Sequence, residues 1–178
     1  MSGKNRYLKG DINPIIAPVH SYHTVEAGDF MVINKVAGMC GVGQTADNYA
    51  FPFSEVKTAG GAGGSGTLAS QGFIYTYFLG VAMEDSPSGV TENITVATSG
   101  VFRHPLHSSL VGAVTIGALV SAVSNNLAAG VSPQVLCHGA AGAITSTAYL
   151  GYIMKTESGA SFVDFQLRTA FGPGGVAS

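Results

Sequence analysis

The apolar residues of this chain never sustain a helical period; they come in runs that Gly, Pro, Asn or Asp cut off. An amphipathic helix needs apolar side chains at i, i+3, i+4 and i+7 over about ten residues or more, whereas a strand needs only alternation over about four to eight. The clearest alternation is 162–169, in which Val163, Phe165 and Leu167 point one way and Phe162, Asp164, Gln166 and Arg168 the other. A strand-like run at 149–155 and the turn signal Glu157-Ser158-Gly159 precede it, so 149–169 is expected as a hairpin.

Other runs fit the same scheme. Ala27-Gly28-Asp29 reads as a turn feeding a short strand, Phe30 to Ile33. Phe73 to Met83 is too continuously apolar for a surface helix and reads as a strand buried on both sides. Asp85-Ser86-Pro87-Ser88-Gly89 is a turn, and Asn93 to Phe102 after it reads as one strand. Leu110 to Val123, rich in β-branched residues and broken by Gly112 and Gly117, is expected as strand, turn, strand. Short strands between turn-rich connections predict a mainly β protein, a small barrel or sandwiched fold.

At 178 residues and 18.1 kDa the chain has room for one well-buried core. Residues 1–24, with Pro14 and Pro18 and no periodicity, predict an extended N-terminal arm; 25–172 form the β domain and 173–178 a tail. Within the domain, 41–72 carries Pro52 and many glycines and is expected as a long loop or insertion.

Charged residues are 10% of the chain against about 25% in an ordinary soluble protein, and mean hydropathy is +0.33. A monomer of this mass exposes about 8,000 Å², so each charged side chain would serve roughly 450 Å² of it. Such a surface is built from small neutral residues or is buried against other chains. A net charge of −2 and a pI near 6.2 predict no direct nucleic-acid binding, and no Lys/Arg cluster marks a lipid surface. The N-terminus shows no apolar signal region, and Leu110–Val123 is shorter than the roughly 20 residues of a membrane span; synthesis in a cytoplasm without membrane insertion is the expectation.

Four motifs invite chemistry. Gly61-Ala62-Gly63-Gly64-Ser65-Gly66 matches GxGxxG, but no strand feeds it, no helix follows and the P-loop lysine is missing, so it reads as a glycine linker. His20/His23 and His104/His107 have HxxH spacing without an obvious third ligand, and read as hydrogen-bonding or interface residues. Cys137-His138 would point apart in a strand, and there is no GxSxG elbow. Glu84-Asp85 adjoins a turn and reads as solvated. Cys40 and Cys137, without paired spacing, read as free buried thiols. No catalytic residue, metal or cofactor is expected, and no enzyme activity.

Ala27-Gly28-Asp29, then Gly80-Val81-Ala82, then Val90 to Phe102 ending in Ser99-Gly100-Val101-Phe102, then Leu150-Gly151-Tyr152-Ile153 and a last alternating strand, together resemble the tailed-phage capsid cement, or head decoration, proteins. The resemblance spans about 24–170 and rests on the order of short motifs. The Gly-rich 41–72 segment and the N-terminal arm depart from that pattern. So does Arg103-His104-Pro105-Leu106-His107, followed by an apolar run where the family has a polar, aromatic stretch.

The resemblance implies a β-barrel or β-tulip domain that forms a homotrimer on the outer capsid surface of a virion and clamps adjacent major capsid proteins. Arg6, Tyr7, Ile12, Ile15 and Ile16 in the arm, and Tyr49, Phe51 and Phe53 in the loop, are the candidate capsid contacts. Phe51 and Phe53 could equally plug the chain's own core. Phe102, Val163, Phe165 and Leu167 are assigned to core or trimer packing. Competing readings are a self-assembling coat or fibre subunit, and a small β-barrel hydrolase or histidine-dependent metal-binding protein.

Overall fold

The computed structural model describes residues 6–35, 47–55, 77–105, 115–123, 135–138, 149–156 and 161–169. Eleven strands run through them: β1 (Arg6–Lys9), β2 (Pro14–Val19), β3 (Phe30–Ile33), β4 (Ala50–Pro52), β5 (Phe78–Ala82), β6 (Glu92–Ala97), β7 (Ser99–Pro105), β8 (Leu119–Val123), β9 (Val135–His138), β10 (Gly151–Lys155) and β11 (Phe162–Arg168), with a 3-10 turn at Phe53–Glu55. Five of them close a barrel in the order β2-β4-β3-β5-β6; the other six form an antiparallel sheet, β1-β7-β11-β10-β8-β9. The mainly β, barrel-containing class expected from the runs is the one observed.

One antiparallel ribbon joins the two sheets. β2 pairs with β6 from Pro14↔Ala97 to Val19↔Glu92, and β1 pairs with β7 through Tyr7↔Phe102. The same two chain segments therefore lie side by side in the barrel and again in the sheet. Between them the ribbon bends at Gly10–Asn13 and Thr98. Gly10 takes φ +102°, a backbone that side chains with a Cβ rarely adopt. The N–H groups of Thr98 and Ser99 both donate to the Ile12 carbonyl at 3.0 and 3.2 Å, and the Thr98 hydroxyl donates to Asn13 O at 2.7 Å.

This geometry corrects three expectations. Residues 6–19 are extended, but as barrel and sheet strands rather than a projecting arm. Asn93 to Phe102 is not one strand: it bends at Thr98 and changes sheets there, and a single bend residue is too short to interrupt the alternation that precedes it. The 41–72 segment contains a barrel stave, β4, whose three residues are too few to show a period and include Pro52. The turns at Ala27-Gly28-Asp29 and 85–89 are where the sequence put them, with positive φ at Gly28 and Gly89. Residues 73–76, 110–114, 157–159 and 173–178 lie outside the described residues.

Alternation along each stave sorts two cores. Ala17, Val19, Met31, Ala50, Leu79, Ile94 and Val96 fill the barrel. Their neighbours Phe30, Val32, Phe51, Phe53, Phe78 and Val81 point outward and meet Phe102, Val120, Leu150, Ile153, Val163, Phe165 and Leu167 from the sheet. Phe165 contacts both Phe30 and Phe102, with ring centroids 6.2 Å apart in each case. At about 25 cal/mol per Å² of buried apolar area, this aromatic layer holds barrel and sheet together. β5 is buried along its whole length because one face lines the barrel and the other meets the sheet.

Candidate contact surfaces

The residues predicted to touch a partner separate sharply by burial. Phe51 and Phe53 are 0% and 1% exposed: β4 turns Phe51 toward the sheet, and the 3-10 turn folds Phe53 in beside it, so both plug the chain's own core and are not docking anchors. Ile12 and Ile15 are half-buried against the two cores. Tyr49 is half-buried, with its ring edge-on to His20. Arg6 is placed by backbone register opposite Arg103. Of the eight, Ile16 (66%) and Tyr7 (38%) present large apolar side chains to solvent. Phe102, Val163, Phe165 and Leu167 are all core residues.

Tyr7 is also structural. Its ring packs edge-on against Phe102, its hydroxyl donates to the Gly10 carbonyl, and Gly100 leaves the space the ring occupies.

At one end of the barrel, His20, Tyr22, His23, Tyr49 and Phe51 form a run of ring contacts. His20 stacks on the exposed Tyr22 with centroids 3.8 Å apart, and His23 stacks on Phe51 at 5.2 Å. His23 is buried and its Nδ1 lies 2.6 Å from Glu55 Oε2. The Ser21 hydroxyl contacts His20 Nδ1 at 3.3 Å. The hydroxyl–imidazole and imidazole–carboxylate contacts thus run through different rings, and the patch is aromatic packing around a buried His23 paired with the half-exposed Glu55. Glu84 accepts from the Thr95 N–H and hydroxyl, and Asp85 accepts from the Ala27 N–H, so both carboxylates tie turns together.

The outer face of the six-stranded sheet was not singled out by its sequence. Register alone assembles it: Val101, Gln166, Tyr152 and Leu119 lie in one row across four strands, and Arg103, Asp164 and Lys155 in the next. Leu119, Met154 and Phe162 are about 40% exposed on it. Arg103 grips Asp164 through two bonds, 2.7 and 3.2 Å, and the Arg168 guanidinium lies 5.5 Å from the Tyr152 ring centroid.

Charge is sorted between the two halves. The strands of the sheet carry Arg6, Lys9, Arg103, Lys155 and Arg168 against the single carboxylate of Asp164. The barrel and its described turns carry Glu26, Asp29, Asp47, Glu55, Glu84, Asp85 and Glu92 against Lys35, and Asp11 lies in the bend between the two halves. The net charge of −2 conceals this, because the acidic turns of the barrel and the basic strands of the sheet cancel when summed.

Among the described residues, no group of three His, Cys, Asp or Glu is gathered as a metal shell, and no helix is long and apolar enough to cross a membrane. The Gly61–Gly66 motif, His107 and Cys40 lie outside the described residues, and of Cys137 and His138 only the backbone, in β9, is described. No family model, curated protein or solved structure matches this chain.

Proposed function

We propose that the chain is a structural virion protein that decorates and cements a tailed-phage capsid, as a homotrimer on the outer surface clamping adjacent major capsid proteins. The observation that carries this reading is where the motifs of the resemblance fall. The Gly28 N–H donates to the Ala82 carbonyl and ties the first turn to the end of β5. A Cβ on Gly80 would lie 2.0 Å from the Ala97 carbonyl oxygen, and one on Gly151 1.9 Å from that of Gln166. Gly100 has φ +120° and lies under the Tyr7 ring, next to the bend between barrel and sheet. All four motifs sit at joints of one scaffold, which is what a resemblance in architecture requires.

Cementing needs no reacting group. Three copies that each grip a capsid patch convert modest contacts into a slowly dissociating clamp through effective concentration. On this reading the chain is made in the host cytoplasm and joins the shell after expansion. Cosedimentation of the purified chain with expanded, undecorated heads of its phage tests it. Binding, with a rise in the temperature at which the heads lose DNA, is expected; a stable monomer with no affinity for such heads would overturn it.

A further inference from the structure

We infer that the outer face of the six-stranded sheet docks on the barrel wall of a second copy of this chain, head to tail. The inference deepens the assembling role proposed above and rests on it only in that copies meet; it requires no capsid.

The two surfaces point away from each other. The aromatic layer of Phe30, Phe102 and Phe165 joins one side of the barrel to the inner face of the sheet, which turns the opposite sheet face outward. On the barrel, β2 adds none of its residues to that layer; its Ala17 and Val19 point into the barrel and Ile16 points out, 66% exposed. Ile16 pairs in register with Thr95, whose N–H and hydroxyl both bond to Glu84. This wall therefore presents an apolar centre beside a carboxylate held by neutral donors.

The sheet face is its complement. Leu119, Met154 and Phe162 supply apolar area, while Arg168 stands over Tyr152 and Arg103 flanks them. Aromatic, Met and Arg side chains are those enriched at the centres of protein interfaces, where burial strengthens a charge pair. A cationic, half-apolar face on one side and an anionic, half-apolar wall on the other favour contact between unlike surfaces over contact between like ones. Unlike-surface contacts between identical chains close into rings when the rotation permits and otherwise run on as filaments. A trimer would be three such contacts closed.

Analytical ultracentrifugation of the intact chain, with the variants Arg168→Glu and Glu84→Lys, tests this. The wild type is expected to self-associate, with an association constant falling about tenfold between roughly 50 mM and roughly 500 mM salt. Each variant alone is expected to stay folded, with a thermal midpoint lowered by no more than a few degrees through the lost Thr95 bonds or Tyr152 contact and the lost association, and to be monomeric. A mixture of the two is expected to associate again, because an intact wall then meets an intact sheet face.

A monomeric wild type would overturn the inference, and loss of head binding in Arg168→Glu would then assign the sheet face to capsid protein. Loss in Arg168→Glu but not in Glu84→Lys would replace it with sheet-to-sheet pairing. A salt-insensitive oligomer that both variants retain would also overturn it, while leaving the assembling role standing.

Discussion

The barrel and the sheet solve the problem of strand edges in opposite ways. In the barrel every stave has two neighbours, because β2 closes against β6 on one side and meets β4 at Val19↔Ala50 on the other. Pro14 and Pro18 fall in phase along β2, so both missing donors belong to one edge of the strand, and the seam with β4 is correspondingly a single pair. The sheet remains open: among the described residues β1 and β9 each pair on one side. A closed unit cannot shift one strand without disturbing all of them, whereas an open sheet can splay toward an edge. The closed half is a rigid scaffold, and the open half carries the adaptable surface.

Glycine substitution gives the largest expected effect and the sharpest test of that contrast. Gly80 brings β5 against β6 in the barrel and Gly151 brings β10 against β11 in the sheet, and a Cβ at either site meets a backbone carbonyl about 2 Å away. Neither neighbour is a side chain that can rotate aside. Gly80→Ala should cost more than about 4 kcal/mol, because relief requires opening the closed ring. Gly151→Ala should cost about 3 kcal/mol, since β10 can move with β8 and β9. Urea unfolding of both variants measures the difference, and equal losses would break the comparison.

Phe165→Ala comes next, at about 3 kcal/mol, the lower end for a fully buried phenylalanine. Its ring touches Phe30 from the barrel and Phe102 from the sheet, so removal weakens the layer that makes the two halves one unit. A single unfolding transition by both fluorescence and circular dichroism is expected, at lower denaturant. Two separated transitions would show that the barrel unfolds independently of the sheet.

These sites also mark what the sequence could disclose. β3 and β10 were legible as short apolar runs beside turn signals and β11 as an alternation, and of the core-or-trimer assignment of Phe102, Val163, Phe165 and Leu167 the structure shows the core part. β4 was not, since three residues ending in Pro52 carry no period, and the loop assignment of Phe51 and Phe53 failed with it. The break at Thr98 was hidden because it is a bend of one residue with strand on both sides, too short to leave a mark in the pattern. The surface of Arg103, Tyr152 and Arg168 comes from three strands, and its first and last residues are 65 positions apart in sequence; only pairing register reveals it. Glycines, by contrast, were visible as motifs, but their reason was not: the colliding carbonyl belongs to another strand.

On the sheet's outer face, Asp164→Asn should cost about 1 kcal/mol. The carboxylate is nearly buried and accepts two bonds from Arg103, yet the Arg103 side chain is 47% exposed, so water can replace what the substitution removes. The loss should shrink as salt is added to the wild type. A cost several times larger would mean that this face is better sealed than the exposure of its arginine implies.

The smallest expected effect separates the sheet's edge from its interior. β1 is held by three register pairs with an irregularity between Tyr7 and Lys9, and the Tyr7 hydroxyl anchors it further through the Gly10 carbonyl. Tyr7→Phe keeps the ring against Phe102 and removes only that donor, so global stability should fall by about 1 kcal/mol or less. Edge strands open locally well before the whole molecule unfolds. Amide hydrogens of β1 should therefore exchange several-fold faster in the variant, while those of β7 shared with β11, and those of the barrel, keep the wild-type rate after correction for the global change. The bend at Gly10–Asn13 lies between β1 and β2, so it is the place where added motion must stop if the barrel is closed. Faster exchange that continued past Asn13 into β2 would mean that the ribbon frays as one piece and that closure does not shield the barrel from its edge.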